Sequence, residues 1–141
     1  MKGLIIRDPW ITKILNGEKV WEIRGSITKI RGTIALIKSG SGLIYGTVEL
    51  TDCIPCPPLR FKEHADKHRI EDESKAFRYK STWAWKVKNP IRYPEPIPYK
   101  HPQGAVIWVN LDLCGTCFKY PAHADDDYCL NRLTSDDKLP F

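Results

Sequence analysis

Gly17-Glu18-Lys19-Val20-Trp21-Glu22-Ile23-Arg24 is the stretch that decides how this chain folds. It stands where a short helical pattern gives way to a strand. Upstream, Trp10, Ile11, Ile14 and Leu15 recur at helical spacing and form one apolar face, while Thr12, Lys13 and Asn16 point elsewhere. Asp8 is the candidate N-cap. Pro9 suits the first helical position, where its missing N–H had no partner anyway. Gly17 ends the helix as a left-handed cap. On the strand that follows, side chains alternate between faces, so Glu22 and Arg24 project together. Lys19 is three residues from Glu22 and would face away on a regular strand. It can join the other two by arriving from the helix–strand turn or across a bulge; Gly17 permits such a turn, and Lys19 is read as arriving from there.

Working outward, Gly3-Leu4-Ile5-Ile6-Arg7 reads as a short buried strand and Ile34-Ala35-Leu36-Ile37 as another. A Ser39-Gly40-Ser41-Gly42 turn leads into a longer strand over 43–50, with Gly46 inside it marking a bulge. Cys53-Ile54-Pro55-Cys56-Pro57-Pro58 should break that strand. Residues 59–68 carry a loose helical pattern, and the charged run over 69–80 reads as a surface loop. Thr82-Trp83-Ala84-Trp85-Lys86-Val87-Lys88 alternates, with Trp83, Trp85 and Val87 on one face. Pro90, Pro94, Pro96, Pro98 and Pro102 predict an extended, stiff connector over 90–102 and not a central strand. Residues 105–111 form the last expected strand. Short strands, two short helices and Pro/Gly turns predict a mostly β fold with short helices (α+β), a small β-barrel.

The chain has 141 residues, the size of one domain with one hydrophobic core. Its composition, 42% hydrophobic and 28% charged, is that of a globular protein. No run approaches the length of a membrane-spanning helix. The apolar stretch after Met1 is too short and too soon charged for a signal peptide, so a cytoplasmic location is expected. There the five cysteines stay reduced unless a metal holds them. The net charge of +5 is uneven. Residues 1–40 hold eight basic side chains against three acidic ones, while residues 112–141 hold three against six. The first imbalance suits a polyanion, since phosphate contacts supply affinity independent of sequence. A solvated surface with a basic bias fits it as well.

The G-x-K-x-x-E-x-R pattern of residues 17–24 resembles the signature of the ASCH domain, a PUA-like barrel. Its surroundings strengthen the likeness. Asp8-Pro9-Trp10 is similar to the family's Q-P-W, and Tyr45-Gly46-Thr47-Val48-Glu49-Leu50-Thr51-Asp52-Cys53 to its G-x-V-x-L-x-D-C strand. Trp85-Lys86-Val87-Lys88-Asn89-Pro90 is similar to its aromatic strand ending in K-N-P. Pro98, Gly104 and Ile107-Trp108 resemble its closing strand. The matches come in the family's order over residues 3–111. That divides the chain into a barrel over 1–111 and an acidic Cys/His-containing extension over 112–141.

The resemblance implies binding of RNA or of a modified nucleoside or nucleotide, through a cleft carrying Lys19, Glu22 and Arg24. Arg24 offers a planar fork for phosphate or a carbonyl, and Glu22 an acceptor for an exocyclic amine. Trp21 or Tyr45 is available for stacking. Some small family members look like amidohydrolases of N4-acylated cytidines, which would make Lys19 and Glu22 catalytic. In their pattern a Thr stands where this chain has Glu22, and the acidic partner falls near Glu63, Asp66 and His68. Lys19 acts as a base or nucleophile only if desolvation and Arg24 depress its pKa, and Glu22 pulls the other way. A third reading is a coactivator-like protein-interaction domain using the acidic tail. The bland alternative for all three motif residues is a structural ion-pair cluster. Trp83, Trp85, Trp108 and Trp10 read as core.

Cys114, Cys117, His123 and Cys129 have the order of zinc ligands in a compact stretch, as in a zinc knuckle with longer later gaps. Cys53 and Cys56 form a second pair that would complete a four-cysteine site with Cys114 and Cys117. An acidic tail with unpaired thiols is the alternative, so zinc enters only as a candidate cofactor.

Overall fold

The computed structural model describes residues 1–72 and 81–111. In chain order the elements are β1 (Lys2–Ile6), α1 (Trp10–Leu15), β2 (Trp21–Arg24), β3 (Gly32–Lys38) and β4 (Leu43–Pro55). They continue with α2 (Pro58–Glu63), α3 (Ala65–His68), β5 (Trp83–Pro98) and β6 (Trp108–Asn110). All six strands make one sheet in the order β2-β5-β4-β3-β1-β6. Every pairing is antiparallel except β1 with β3. The sheet curls into a half-barrel around a core of Leu4, Ile6, Ile34, Leu36, Val48, Leu50, Trp85 and Val87. Ile11, Ile14 and Leu15 of α1 close that core from one side, as their spacing demands. Each such buried aliphatic side chain is worth about 1.5–3 kcal/mol of transfer free energy, which holds a helix too short to persist alone.

The curl brings the two ends of the sheet together. Arg24 of β2 donates from Nη2 to the carbonyl of Ile5 at 2.8 Å, and the Ile5 N–H donates to the carbonyl of Ile107 at 2.9 Å. Trp85 of β5 stacks on Trp108 of β6 with centroids 5.7 Å apart. Trp83 packs against the core that holds Trp85, as the alternation predicts, and Trp108 packs there too.

Four expectations change. Residues 83–98 are one strand and not a strand followed by a connector. β5 pairs with β2 only over Trp83–Lys86, and beyond that with β4 alone. Pro90, Pro94 and Pro96 therefore fall where one edge of the strand has no neighbouring strand among the described residues, and no ladder hydrogen bond among them is lost there. Asn89, left-handed at φ 53°, marks the change, beside a register shift between Thr47 and Glu49. β4 likewise runs on to Pro55 and does not stop at Leu50. The helix over 59–68 is two short helices that meet at His64, whose φ −121° and ψ 35° are not helical. The first helix starts at Trp10, and the Asp8 carboxylate accepts from the Thr12 hydroxyl at 2.6 Å instead of capping a backbone N–H.

Gly46 meets its expectation: the register of β4 against β5 shifts between Ile44 and Gly46. A Cβ there would stand 2.1 Å from the carbonyl oxygen of Ile91. Only glycine lets the two backbones approach this closely.

Candidate functional site

Lys19 lies in the turn between α1 and β2, where its N–H and that of Glu18 both donate to the carbonyl of Lys13. From there its side chain runs beneath β2 and reaches the partners that strand parity alone denies it. Its ammonium donates to the carbonyl of His68 at 2.6 Å and stands 3.7 Å from Oε1 of Glu22. The Trp10 ring lies over it, 5.2 Å to the centroid. Arg24 takes the other carboxylate oxygen: its Nε and Nη2 stand 3.0 Å and 2.9 Å from Oε2. The three motif residues thus form one array, with Glu22 held between two cations.

The array is layered. The Lys19 side chain is fully buried, Glu22 is 7% exposed and Arg24 19%. Burial is the largest influence on Lys19 and lowers its pKa from 10.5 to about 8; the Glu22 carboxylate opposes that shift. Above the array opens a cleft of about 630 Å³, lined by Glu22, Ile23 and Arg24 but not by Lys19. Its rim comes from distant parts of the chain: Arg7, Asp8 and Trp10, Ser39 and Gly40, and His101, Ala105 and Val106.

Trp21 and Tyr45 are not brought to this cleft. Trp21 is next to Glu22 on β2 and so faces the other side, in a second core with Ile23, Cys56, Phe61 and Ala84. There it stacks on His64 at 4.9 Å. Tyr45 packs against the main core, with Lys38 over its ring. Trp10 is half-buried: it packs on the core, as expected of the helix face, and also lines the cleft. Among the acidic candidates, Glu63 is exposed at the end of α2 and Asp66 lines a separate hollow. His68 is fully buried. Its Nδ1 accepts from the Ile70 N–H at 2.9 Å, which leaves the proton on Nε2, donated to the carbonyl of Phe61 at 2.7 Å. Burial chiefly lowers its pKa, so it is a fixed neutral ring that presents its own carbonyl to Lys19.

Arg7, Trp10 and the loop around His101 escaped the sequence reading because no spacing links them to residues 17–24. The one available signal was Asp8-Pro9-Trp10, which marked a helix start and, in the same three residues, a cleft wall.

The candidate zinc ligands Cys114, Cys117, His123 and Cys129, with the rest of 112–141, lie outside the described residues, as does most of the charged run over 69–80. Cys53 is half-buried and Cys56 buried, both as free thiols. Among the described residues no group of three or more His, Cys, Asp or Glu side chains is placed to hold a metal ion. No helix there is long and apolar enough to cross a membrane.

Curled sheet, short helix and layered cleft together define a small PUA-like β-barrel. The chain belongs to the ASCH domain family, whose model matches residues 4–97, a family generally linked to RNA binding. Among solved structures, the ASCH protein of Zymomonas mobilis is similar, with a TM-score of 0.63 at 12% identity over 78% of this chain and 86% of that one. A serine-to-alanine variant of the same protein gives a TM-score of 0.64 at 12% identity, over 78% of this chain and 87% of that one. A tyrosine-to-phenylalanine variant gives 0.61 at 12%, over 78% and 88%. At that identity the likeness is one of fold. No curated protein sequence matches the chain.

Proposed function

We propose that this protein is an RNA- or modified-nucleotide-binding module and that the cleft above Glu22 and Arg24 is its binding site. The observation that carries the reading is the Glu22 carboxylate, nearly buried at the cleft floor and flanked by Lys19 and Arg24. A carboxylate there is an acceptor that suits the N–H groups of an unpaired base. The net charge of +5 supports approach by a polyanion.

Hydrolysis of an N4-acylated cytidine by Lys19 and Glu22 is the weaker reading. A lowered pKa suits a nucleophilic amine, but this amine is covered and already bonded to His68 and Glu22. It presents no lone pair to the cleft. The coactivator-like reading rests on the tail and gains no support from the described residues.

Fluorescence anisotropy with short single-stranded RNAs tests the binding reading. Affinity should fall with salt, and Arg24→Ala should weaken it about tenfold or more, because it frees the Glu22 carboxylate that Arg24 holds in place. A folded wild-type protein that binds neither RNA nor nucleotides at low salt would remove the proposal.

A further inference from the structure

The cleft carries a cation that the structure itself leaves unused. Arg7 stands just past the end of β1, is exposed, and lines the cleft together with Glu22. Its guanidinium makes no hydrogen bond or ion pair with any described residue. The other charged groups of the cleft are all engaged. Arg24 is spent on Glu22 and Ile5, and Lys19 lies below the surface. The neighbouring Asp8 carboxylate is paired with Lys38 at 3.7 Å and accepts from Thr12, which reduces its repulsion of an incoming anion. His101 is bonded through both ring nitrogens, to the Tyr99 hydroxyl and the Ala105 carbonyl.

From this division of charge we infer that the cleft takes an unpaired nucleotide in two parts. Arg7 at the rim binds the phosphate, while Glu22 at the floor accepts from the N–H donors of the base. The inference rests on the binding reading above and narrows its ligand to a phosphorylated nucleotide, as against a free nucleoside. The physical reason is placement. A guanidinium with no partner is a ready fork for two phosphate oxygens and suffers little desolvation at a rim. A floor carboxylate would repel phosphate and so sets the orientation, base inward and phosphate outward. A base already paired in a duplex has its donor edge occupied and cannot reach Glu22. The half-buried Trp10, already carrying Lys13 and Lys19 near its ring, is the wall beside which the base enters.

The test compares the four nucleoside 5′-monophosphates with the four parent nucleosides, and one single-stranded RNA with its duplex, by calorimetry or anisotropy. Wild type, Arg7→Ala and Glu22→Gln are the proteins compared. Wild type should prefer monophosphates over nucleosides by about tenfold, the value of one charge-assisted contact. In Arg7→Ala that preference should vanish, the order among bases should stay as in wild type, and the salt slope for RNA should fall by about one. Glu22→Gln should change the order among bases and keep the phosphate preference. Thermal stability of Arg7→Ala should equal that of wild type, because the side chain has no partner to lose. If wild type binds RNA and Arg7→Ala binds monophosphates just as well, the assignment of Arg7 fails while the binding reading stands. Preference for duplex, or for nucleosides over monophosphates, also overturns it. A wild type that binds none of these ligands overturns both.

Discussion

The ammonium of Lys19 and the carboxylate of Glu22 stand 3.7 Å apart, and only the carboxylate faces the cleft. Lys19 is thus the hidden half of the site. It has two anchors, the carboxylate and the carbonyl of His68, and its loss would leave the carbonyl without this donor and the carboxylate with Arg24 alone. This relationship governs how the protein should respond to mutation and to pH.

Lys19→Met fills the space of the side chain but removes its charge. Breaking a buried pair costs up to about 3–5 kcal/mol, and since Arg24 still serves Glu22 the loss here should be about 2–4 kcal/mol. Urea unfolding measures it. A loss under about 1 kcal/mol would mean that the buried ammonium is not compensated as its geometry requires.

The same amine makes stability depend on alkaline pH. Below pH 8 Lys19 is protonated in both states, and the fold bears the full cost of burying the charge. Between about pH 8 and 10.5 the folded protein has released the proton while the unfolded chain still holds it. Stability of wild type relative to Lys19→Met should therefore rise across that window, on the order of 1 kcal/mol per pH unit. A flat difference curve would contradict the dominance of desolvation.

His68 acts at the acid end. Its folded pKa is lowered from 6.5, chiefly by burial, so as pH falls below 6.5 the unfolded chain takes up the proton first. Its contribution is then lost toward the folded pKa. NMR of the imidazole should show the Nε2–H tautomer persisting below pH 6.5, and an ordinary titration at 6.5 would refute it.

Arg24→Lys keeps the charge and loses the fork. The native guanidinium serves Glu22 and the Ile5 carbonyl at once, so it joins β2 to β1 as well as lining the cleft. A lysine can satisfy one of these, and stability should drop by about 1–2 kcal/mol. Binding of RNA should weaken with it. Full retention of both would show that Arg24 acts only as a point charge.

Glycine substitutions should separate backbone from side-chain crowding. At Gly46 an added methyl meets the rigid Ile91 carbonyl, whereas at Gly3 the first obstacle is the terminal methyl of Ile37 at 2.7 Å. Gly46→Ala should cost at least about 2–3 kcal/mol and Gly3→Ala clearly less, because Ile37 can rotate away. Thermal denaturation of the two variants compares them directly.

Much of this fold was legible because local patterns agree with it. Trp10 to Leu15 show a helix face, the Trp83–Val87 alternation shows a half-buried strand, and the order of motifs ties them together. The convergence of Lys19 with Glu22 and Arg24 was legible too, since parity and Gly17 pointed Lys19 to the turn. Its depth was not, because burial depends on Trp10 and His68 closing over it from distant parts of the chain. The prolines of β5 misled because proline forbids a central strand but not one with a free edge, and the edge is a property of the sheet. The Trp21 placement follows from the same parity that pairs Glu22 with Arg24.

The parallel pairing of β1 with β3 puts the first strand inside the sheet, with β6 on its other side. During synthesis that outer seat stays empty until residues 108–110 have left the ribosome. The cleft shares this delay, since Ala105 and Val106 line it together with Arg7 and Trp10. A nascent chain can form the β3–β4 hairpin early, but it has no complete cleft until Val106 has emerged. On the proposed binding reading, a truncation before Trp108 should therefore abolish binding outright rather than weaken it.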